Sequence, residues 1–301
     1  MLCNVYNDGS HFIATPKIFN TTSHFAKRKI KTILDKDFDR YFLEAIGAFK
    51  SYKKQLEFIK DKILEEYGYP GDDLIENLVP YIEKKYNAKM KNIQLRKKRF
   101  RRKAFLNDWN YFATFTYDSE KQTEESFKTS LRKCLSNFHT RRNWRYMGVW
   151  EYGEKDKRLH FHALMFIPEG EMVSEIYERK DYSERKHKIV VTHENKFFFE
   201  KFGKNDFAPI SKESLKRGKT LDYILKYITK TNDRIIYSRG IPSEFQDEID
   251  IDKDVYVTLM DFVVKYILFD NVYDDENVRV KKCDGIDFKK RLLKKLASSS
   301  D

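Results

Sequence analysis

The hydrophobic period of this chain changes once, near Asn110, and that change restricts the possible folds more than any other feature. Before it, apolar residues recur at helical spacing. Phe42, Ala45, Phe49, Tyr52, Leu56, Ile59 and Ile63 follow one another in alternating steps of three and four, which predicts a helical seam. Tyr67-Gly68-Tyr69-Pro70-Gly71-Asp72 predicts a turn, after which Leu74, Ile75, Leu78 and Ile82 begin a second stripe broken by Pro80. A helical hairpin within residues 22–95 follows. Beyond Asn110, Tyr111-Phe112-Ala113-Thr114-Phe115-Thr116-Tyr117 alternates and is β-prone.

Helices and strands then mix. Residues 120–142 read as a helix, 146–152 and 159–167 as strands joined by a polar loop, 188–192 and 196–202 as β-prone, and 214–231 as a helix. Such an order, with short connections, predicts an antiparallel α+β domain. After Pro242 the chain turns acidic, then apolar over 255–273, and Ser298-Ser299-Ser300-Asp301 is expected to fray.

Aromatic residues make up 15% of the 301, too many for a solvated disordered chain. Lys and Arg number 59 against 47 Asp and Glu, a net +12 that favours a polyanionic partner. No apolar run approaches the roughly 18 residues of a membrane-spanning helix. The first residues lack a basic stretch followed by an apolar one, so no signal peptide is expected. Cys3, Cys134 and Cys283 are scattered, which fits a reducing cytoplasm better than a disulfide framework. Arg96, Lys97, Lys98, Arg99, Arg101, Arg102 and Lys103 crowd into eight positions, a density unfavourable to itself and favourable beside phosphates.

His160-Phe161-His162 lies inside the apolar strand at 159–167. Side chains alternate along a strand, so the two imidazoles share a face and form a natural pair of metal ligands. Glu151 is the best third ligand, near the end of the preceding strand and on a face with Met147 and Val149, where a lone carboxylate is costly. Glu154 and Asp156 are loop alternatives, and His187 and His193 stand in a less defined context. A His-x-His pair alone arises by chance, so a second feature is needed.

Residues 220–230 supply one. On a helical wheel Leu221, Ile224, Leu225 and Ile228 gather on one side, and Tyr223, Lys226, Tyr227 and Lys230 on the other. A phenol is roughly one part in a thousand phenolate at neutral pH. A neighbouring ammonium favours the anion and stabilises charge building on a phosphate. Two tyrosines one turn apart could each serve as a nucleophile in turn.

Phe112-Ala113-Thr114-Phe115-Thr116-Tyr117, Trp150-Glu151-Tyr152-Gly153 with Leu159-His160-Phe161-His162-Ala163, and Tyr223-Ile224-Leu225-Lys226-Tyr227-Ile228-Thr229-Lys230 resemble, in order, three motifs of the HUH endonucleases. Within that superfamily the chain resembles the two-tyrosine rolling-circle replication initiators of small single-stranded DNA phages. The resemblance covers roughly residues 105–240. It implies a central antiparallel five-stranded sheet flanked by helices, with the histidines on a central strand and the tyrosine helix facing them. It implies Mg²⁺ or Mn²⁺ at Glu151, His160 and His162, and Tyr223 and Tyr227 acting alternately through a 5′-phosphotyrosine, assisted by Lys226 and Lys230. Thr114, Thr116 and the basic run are expected to contact single-stranded DNA at a replication origin. The division expected is a helical N-terminal region with a basic linker (1–104), an HUH endonuclease domain (105–245) and a C-terminal extension packed on it (246–301). No Gly-x-x-x-x-Gly-Lys-[Ser/Thr] segment occurs, so a host helicase and polymerase are the expected partners, in the bacterial cytoplasm if the chain is phage-encoded. A conjugative relaxase or single-strand transposase of the same superfamily is one alternative, and a non-catalytic DNA-binding protein with structural histidines is another.

Overall fold

A computed structural model describes residues 1–17, 31–67, 72–153, 158–184, 187–230, 234–260, 264–268, 271–275 and 278–282. The chain opens with strands β1 (Leu2–Asn7) and β2 (Phe12–Pro16), then helices α1 (Ile33–Ala48), α2 (Tyr52–Tyr67) and α3 (Asp72–Leu106). Next come β3 (Tyr111–Thr116), α4 (Glu124–Arg142), β4 (Arg145–Tyr152), β5 (Leu159–Phe166), β6 (Ile176–Ser183) and β7 (Lys188–Asn195). They are followed by α5 (Lys196–Phe202), β8 (Asn205–Pro209), α6 (Lys212–Lys216), α7 (Lys219–Lys230), β9 (Ile236–Tyr237) and β10 (Phe245–Glu248). Helix α8 (Ile251–Asp254) and strands β11 (Val255–Leu259), β12 (Lys265–Leu268), β13 (Asn271–Asp275) and β14 (Val278–Lys282) complete the described elements. The architecture is mixed, with antiparallel sheets.

One five-stranded sheet has the order β8-β3-β5-β4-β9, all antiparallel. Its two faces pack differently because side chains alternate. Ala113, Phe115, Phe161, Ala163 and Trp150 join Phe127 and Leu131 of α4 and Phe198 and Phe202 of α5 in one core. Met147, Val149 and Leu164 on the other face pack against Leu221, Ile224, Leu225 and Ile228 of α7 and Phe100 and Ala104 of α3. Each such side chain moved fully out of water stabilises by about 1.5–3 kcal/mol. Trp144 and Trp150, considered at the sequence level as base-stacking residues with core packing the preferred role, are both buried in the first core.

The N-terminal region differs from the helical expectation. Its first strands join a second five-stranded sheet of order β10-β1-β2-β12-β11, which unites the two ends of the described chain. Cys3 and Val5 point into that sheet's core with Phe245 and Leu268, partners too distant in sequence to be read from local pattern. The seam from Phe42 to Ile63 is not one helix. Phe49 takes an extended conformation (φ −122°, ψ 139°) and ends α1, so Phe42 and Ala45 on α1 meet Ile59 and Ile63 on α2 as a packed pair, closed by Ile82 and Tyr86 of α3. Pro80 lies within α3 without ending it. The basic run is the last part of this helix and not a linker. Helix α3 spans the expected boundary at 104 and β10 the one at 245.

Two further segments depart from expectation. Residues 196–202 are helical, started by the Asn195 side chain accepting from the Phe198 N–H. Residues 214–231, expected as one helix, are divided where Gly218 adopts φ +83° and separates α6 from α7; only a residue without Cβ takes that turn cheaply. Residues 154–157, with Glu154 and Asp156, lie outside the described residues, as do Cys283, the turn residues 68–71 and the four C-terminal residues.

Candidate active site

The register assembles the site on the α7-covered face of the sheet. Glu151 on β4 is directly opposite His160 on β5, and Val149 is opposite His162. On the other side of β5, Thr116 pairs with His160 and Thr114 with His162. Antiparallel partners share a face, so Thr114, Thr116, His160, His162 and Glu151 stand together. Thr114 Oγ1 lies 3.0 Å from His162 Nδ1, and Thr116 Oγ1 lies 2.7 Å from His160 Nδ1. Each threonine therefore fixes the orientation of one ring; when Nδ1 holds the proton, Nε2 presents a lone pair. These hydroxyls, expected at DNA, are engaged with the imidazoles.

His162 is 5% exposed and Glu151 7%. Glu151 Oε2 approaches His162 Nε2 to 2.6 Å, yet Nε2 has no partner in hydrogen-bond alignment. A buried imidazole nitrogen beside a carboxylate, both aimed past one another, is the arrangement of two ligands sharing a third body. Among the described residues, no three His, Cys, Asp or Glu side chains stand gathered as a closed metal cage, and the His160 and His162 ring centroids are 6.1 Å apart. The donor set of two imidazoles and one carboxylate nevertheless fits a divalent cation by its chemistry and by the orphaned Nε2. Burial alone would raise the Glu151 carboxyl, but contacts with His162 and Tyr227 hold it below the ordinary carboxylate range.

Helix α7 lays its tyrosines on this cluster. The Tyr227 ring is near-parallel to His162, with centroids 5.7 Å apart and an interplanar angle of 18°. Tyr223 meets the same imidazole edge-on at 5.2 Å, and the two phenol rings are 5.0 Å apart. Phe112 stacks on His162 at 5.9 Å and touches Tyr223 edge-on at 6.1 Å. The tyrosines are not equivalent: Tyr223 is 42% exposed and Tyr227 only 5%. The wheel places both opposite the aliphatic stripe, but α7 is covered on more than one side and Tyr227 joins the core. Burial pushes the Tyr227 phenol well up, and hydrogen bonds with Tyr223 and Glu151 push it further. This is opposite to the depression expected from neighbouring lysines. Lys226 is exposed, its Nζ 5.9 Å from the Tyr227 ring centre. Lys230 ends α7, and its side chain lies outside the described residues.

The basic run is partly consumed by folding. Arg101 lies 3.6 Å from Asp222 of α7, and Arg102 pairs with Glu244 at 2.9 Å while covering the Tyr6 ring at 3.5 Å. Lys103 donates to the Ile241 carbonyl. Burial lowers the pKa of Arg96, Lys97, Lys98 and Lys103. Lys98 and Arg99 remain exposed for an outside partner. Buried Phe100 within the run was the sequence signal that one side of this helix faces inward. A surface depression of about 710 Å³ lined by Lys133, Arg141, Arg142 and Lys201 holds none of the cluster residues, so the candidate site is an open face rather than a pocket.

Sequence reasoning missed three contributors. Phe112 orients His162. Gly148 allows β4 and β5 to close, since a Cβ there would stand 2.5 Å from the His162 carbonyl and 2.5 Å from Phe161 Cζ. Asp206 of β8 pairs with Thr114 and so shares the site face, a placement only the sheet order reveals.

Fold and site together define a mixed α/β protein with histidines, a carboxylate and paired tyrosines converging on one face of an antiparallel sheet. Residues 110–232, under half of the chain, match the family model of the ORF2-type replication-associated proteins. The match spans β3 to α7 and so contains the whole cluster, but not the basic run. It supports a replication initiator with DNA as its partner. No curated protein and no solved structure matches the chain.

Proposed function

We propose that this chain is a rolling-circle replication initiator that nicks one DNA strand and later rejoins it through a 5′-phosphotyrosine. The observation that carries the reading is the packing of Tyr223 and Tyr227, one turn apart on α7, against His162 on β5. A tyrosine oxygen attacks the scissile phosphorus, the bond to the 3′-oxygen breaks, and that oxygen leaves as a hydroxyl with the phenolic proton balancing it. The ester retains the phosphodiester's energy for rejoining. Tyr223 meets a strand arriving from solvent, while Tyr227 is held beneath it by Glu151.

Mg²⁺ or Mn²⁺ held by Glu151, His160 and His162 would polarise the scissile phosphate as a Lewis acid. Thr114 and Thr116 hold the imidazoles for that task. Lys226 and Lys230 supply positive charge beside the developing phosphorane. Exposed Lys98 and Arg99 on α3 bind the DNA backbone, with affinity that falls as salt rises. Unwinding and synthesis are assigned to a host helicase and polymerase. No helix among the described residues is long and apolar enough to cross a membrane.

The test is incubation with a pool of random single-stranded oligonucleotides and Mn²⁺, resolved on a denaturing gel. A shifted, denaturation-resistant band that disappears with EDTA and in the Tyr223→Phe/Tyr227→Phe variant supports the enzyme. A folded protein that binds DNA yet forms no such band, even with candidate origin sequences, supports a binding protein instead.

A further inference from the structure

The β6–β7 ribbon takes no part in the chemistry above, yet its two faces differ in a way its own packing leaves unexplained. Its register pairs Tyr182 with Ile189, Lys180 with Val191 and Glu178 with His193, so these side chains share one face. The other face pairs Arg179 with Thr192 and Tyr177 with Glu194. There the charges are matched: Arg179 reaches Asp181 at 3.0 Å and fully buried Glu194 at 3.6 Å, and Lys204 reaches Asp181 at 3.4 Å. On the first face Tyr182 and Ile189 are each 64% exposed and Val191 41%. Among the described residues Lys180, on that face, makes no ion pair. An opposed aromatic and β-branched pair steadies a ribbon, which accounts for the pair but not for its lying open to water.

This face is continuous with the nucleophile face of the sheet. At its base His193 Nδ1 lies 3.8 Å from Asp206. Asp206 is paired with Thr114 on β3, and Thr114 in turn with His162 on β5. An apolar strip bordered by a cation thus leads from solvent to the candidate active site. Its chemistry suits a ligand with flat apolar faces, polar edges and a phosphate alongside. Unpaired nucleotides offer all three, whereas a duplex hides the base faces.

We propose that the Tyr182/Ile189/Val191 face of the ribbon is a single-strand subsite, on which unpaired bases flanking the nicked phosphate lie while Lys180 meets the backbone. The proposal rests on the nicking reading and extends it with a platform that holds the strand in line with Tyr223.

The test measures binding of fluorescein-labelled oligothymidylate to the full chain by anisotropy, with covalent adduct formation scored separately on denaturing gels. Tyr182→Ala combined with Ile189→Ser is expected to weaken single-strand binding about tenfold, the effect of losing one stacked base. Tyr182→Phe, which keeps the ring, is expected to retain it, and binding of duplex DNA is expected to change little. A bromodeoxyuridine-substituted strand is expected to photo-crosslink to peptide containing Tyr182 in the wild-type chain, a readout that needs no variant. Unchanged single-strand affinity in the double variant, or crosslinks that map only elsewhere, overturns the subsite. A variant that keeps DNA affinity but loses self-association in sedimentation overturns it in favour of a second copy of the chain. Normal adduct with unchanged affinity removes the ribbon and leaves the nicking reading intact. Weakened binding without any wild-type adduct does the reverse.

Discussion

Gly148→Ala should damage the site from the far side of the sheet. Gly148 is opposite Ala163 in the β4–β5 ladder. An added methyl would stand 2.5 Å from the His162 carbonyl oxygen, 2.5 Å from Phe161 Cζ and 2.9 Å from Ala163 Cβ. The closest of these are about 0.9 Å short of ordinary contact at 3.4 Å. The carbonyl and the Ala163 Cβ belong to the strand itself and cannot swing aside, so β4 and β5 must part. Overpacking of this kind costs about 1–3 kcal/mol, which for a chain this size lowers Tm by about 2–4 °C per kcal/mol. The separation also moves Glu151 relative to His162, now 2.6 Å apart, and misplacement near 1 Å costs on the order of a hundredfold in rate. Thermal unfolding followed by circular dichroism, beside the rate of covalent adduct formation, reads both effects. Gly47→Ala is the control: its Cβ would meet nothing within 4 Å, and in the exposed end of α1 it should be neutral or stabilise by about 0.5–1 kcal/mol. A Gly148→Ala protein with wild-type Tm and adduct rate would refute the idea that close β4–β5 packing sets the site.

Other outcomes follow from the same geometry. Tyr223→Phe and Tyr227→Phe should each leave partial nicking on denaturing gels, while adduct surviving in the double variant would remove α7 from the chemistry. Thr114→Val, which deletes the hydroxyl 3.0 Å from His162 Nδ1, should weaken Mn²⁺ binding about 10–100-fold by calorimetry, with Thr114→Ser close to wild type; equal affinities would mean the threonine does not orient the ring. Because Glu151 is held below its ordinary value by His162 and Tyr227 against the opposing effect of burial, its contribution to stability is complete above pH about 4.3 and is lost as pH falls through the lowered folded value. Urea melts across that acid range should therefore show a shallower pH dependence for Glu151→Gln, and identical slopes would contradict the assignment.

The local pattern of the chain carried much of the site. Alternation placed His160 and His162 on one face of a strand, and the odd carboxylate at Glu151 marked that face as the polar one, because a two-residue period leaves no other choice. The i, i+3, i+4, i+7 spacing grouped Tyr223 with Tyr227 on one helix for a similar reason. Local pattern also failed where the deciding partner was far away. The β1–β2 hairpin lacks long alternation and forms because residues 245–248 and 265–268 pair beside it. The basic run reads as a DNA track, yet Asp222, Glu244 and the Ile241 carbonyl take up Arg101, Arg102 and Lys103, and those acceptors lie more than a hundred residues away. The difference between the two tyrosines, one open and one buried over Glu151, belongs wholly to the tertiary structure. Spacing along a helix sets which side chains are neighbours, but only the docking of α7 on the sheet decides which of them water can reach.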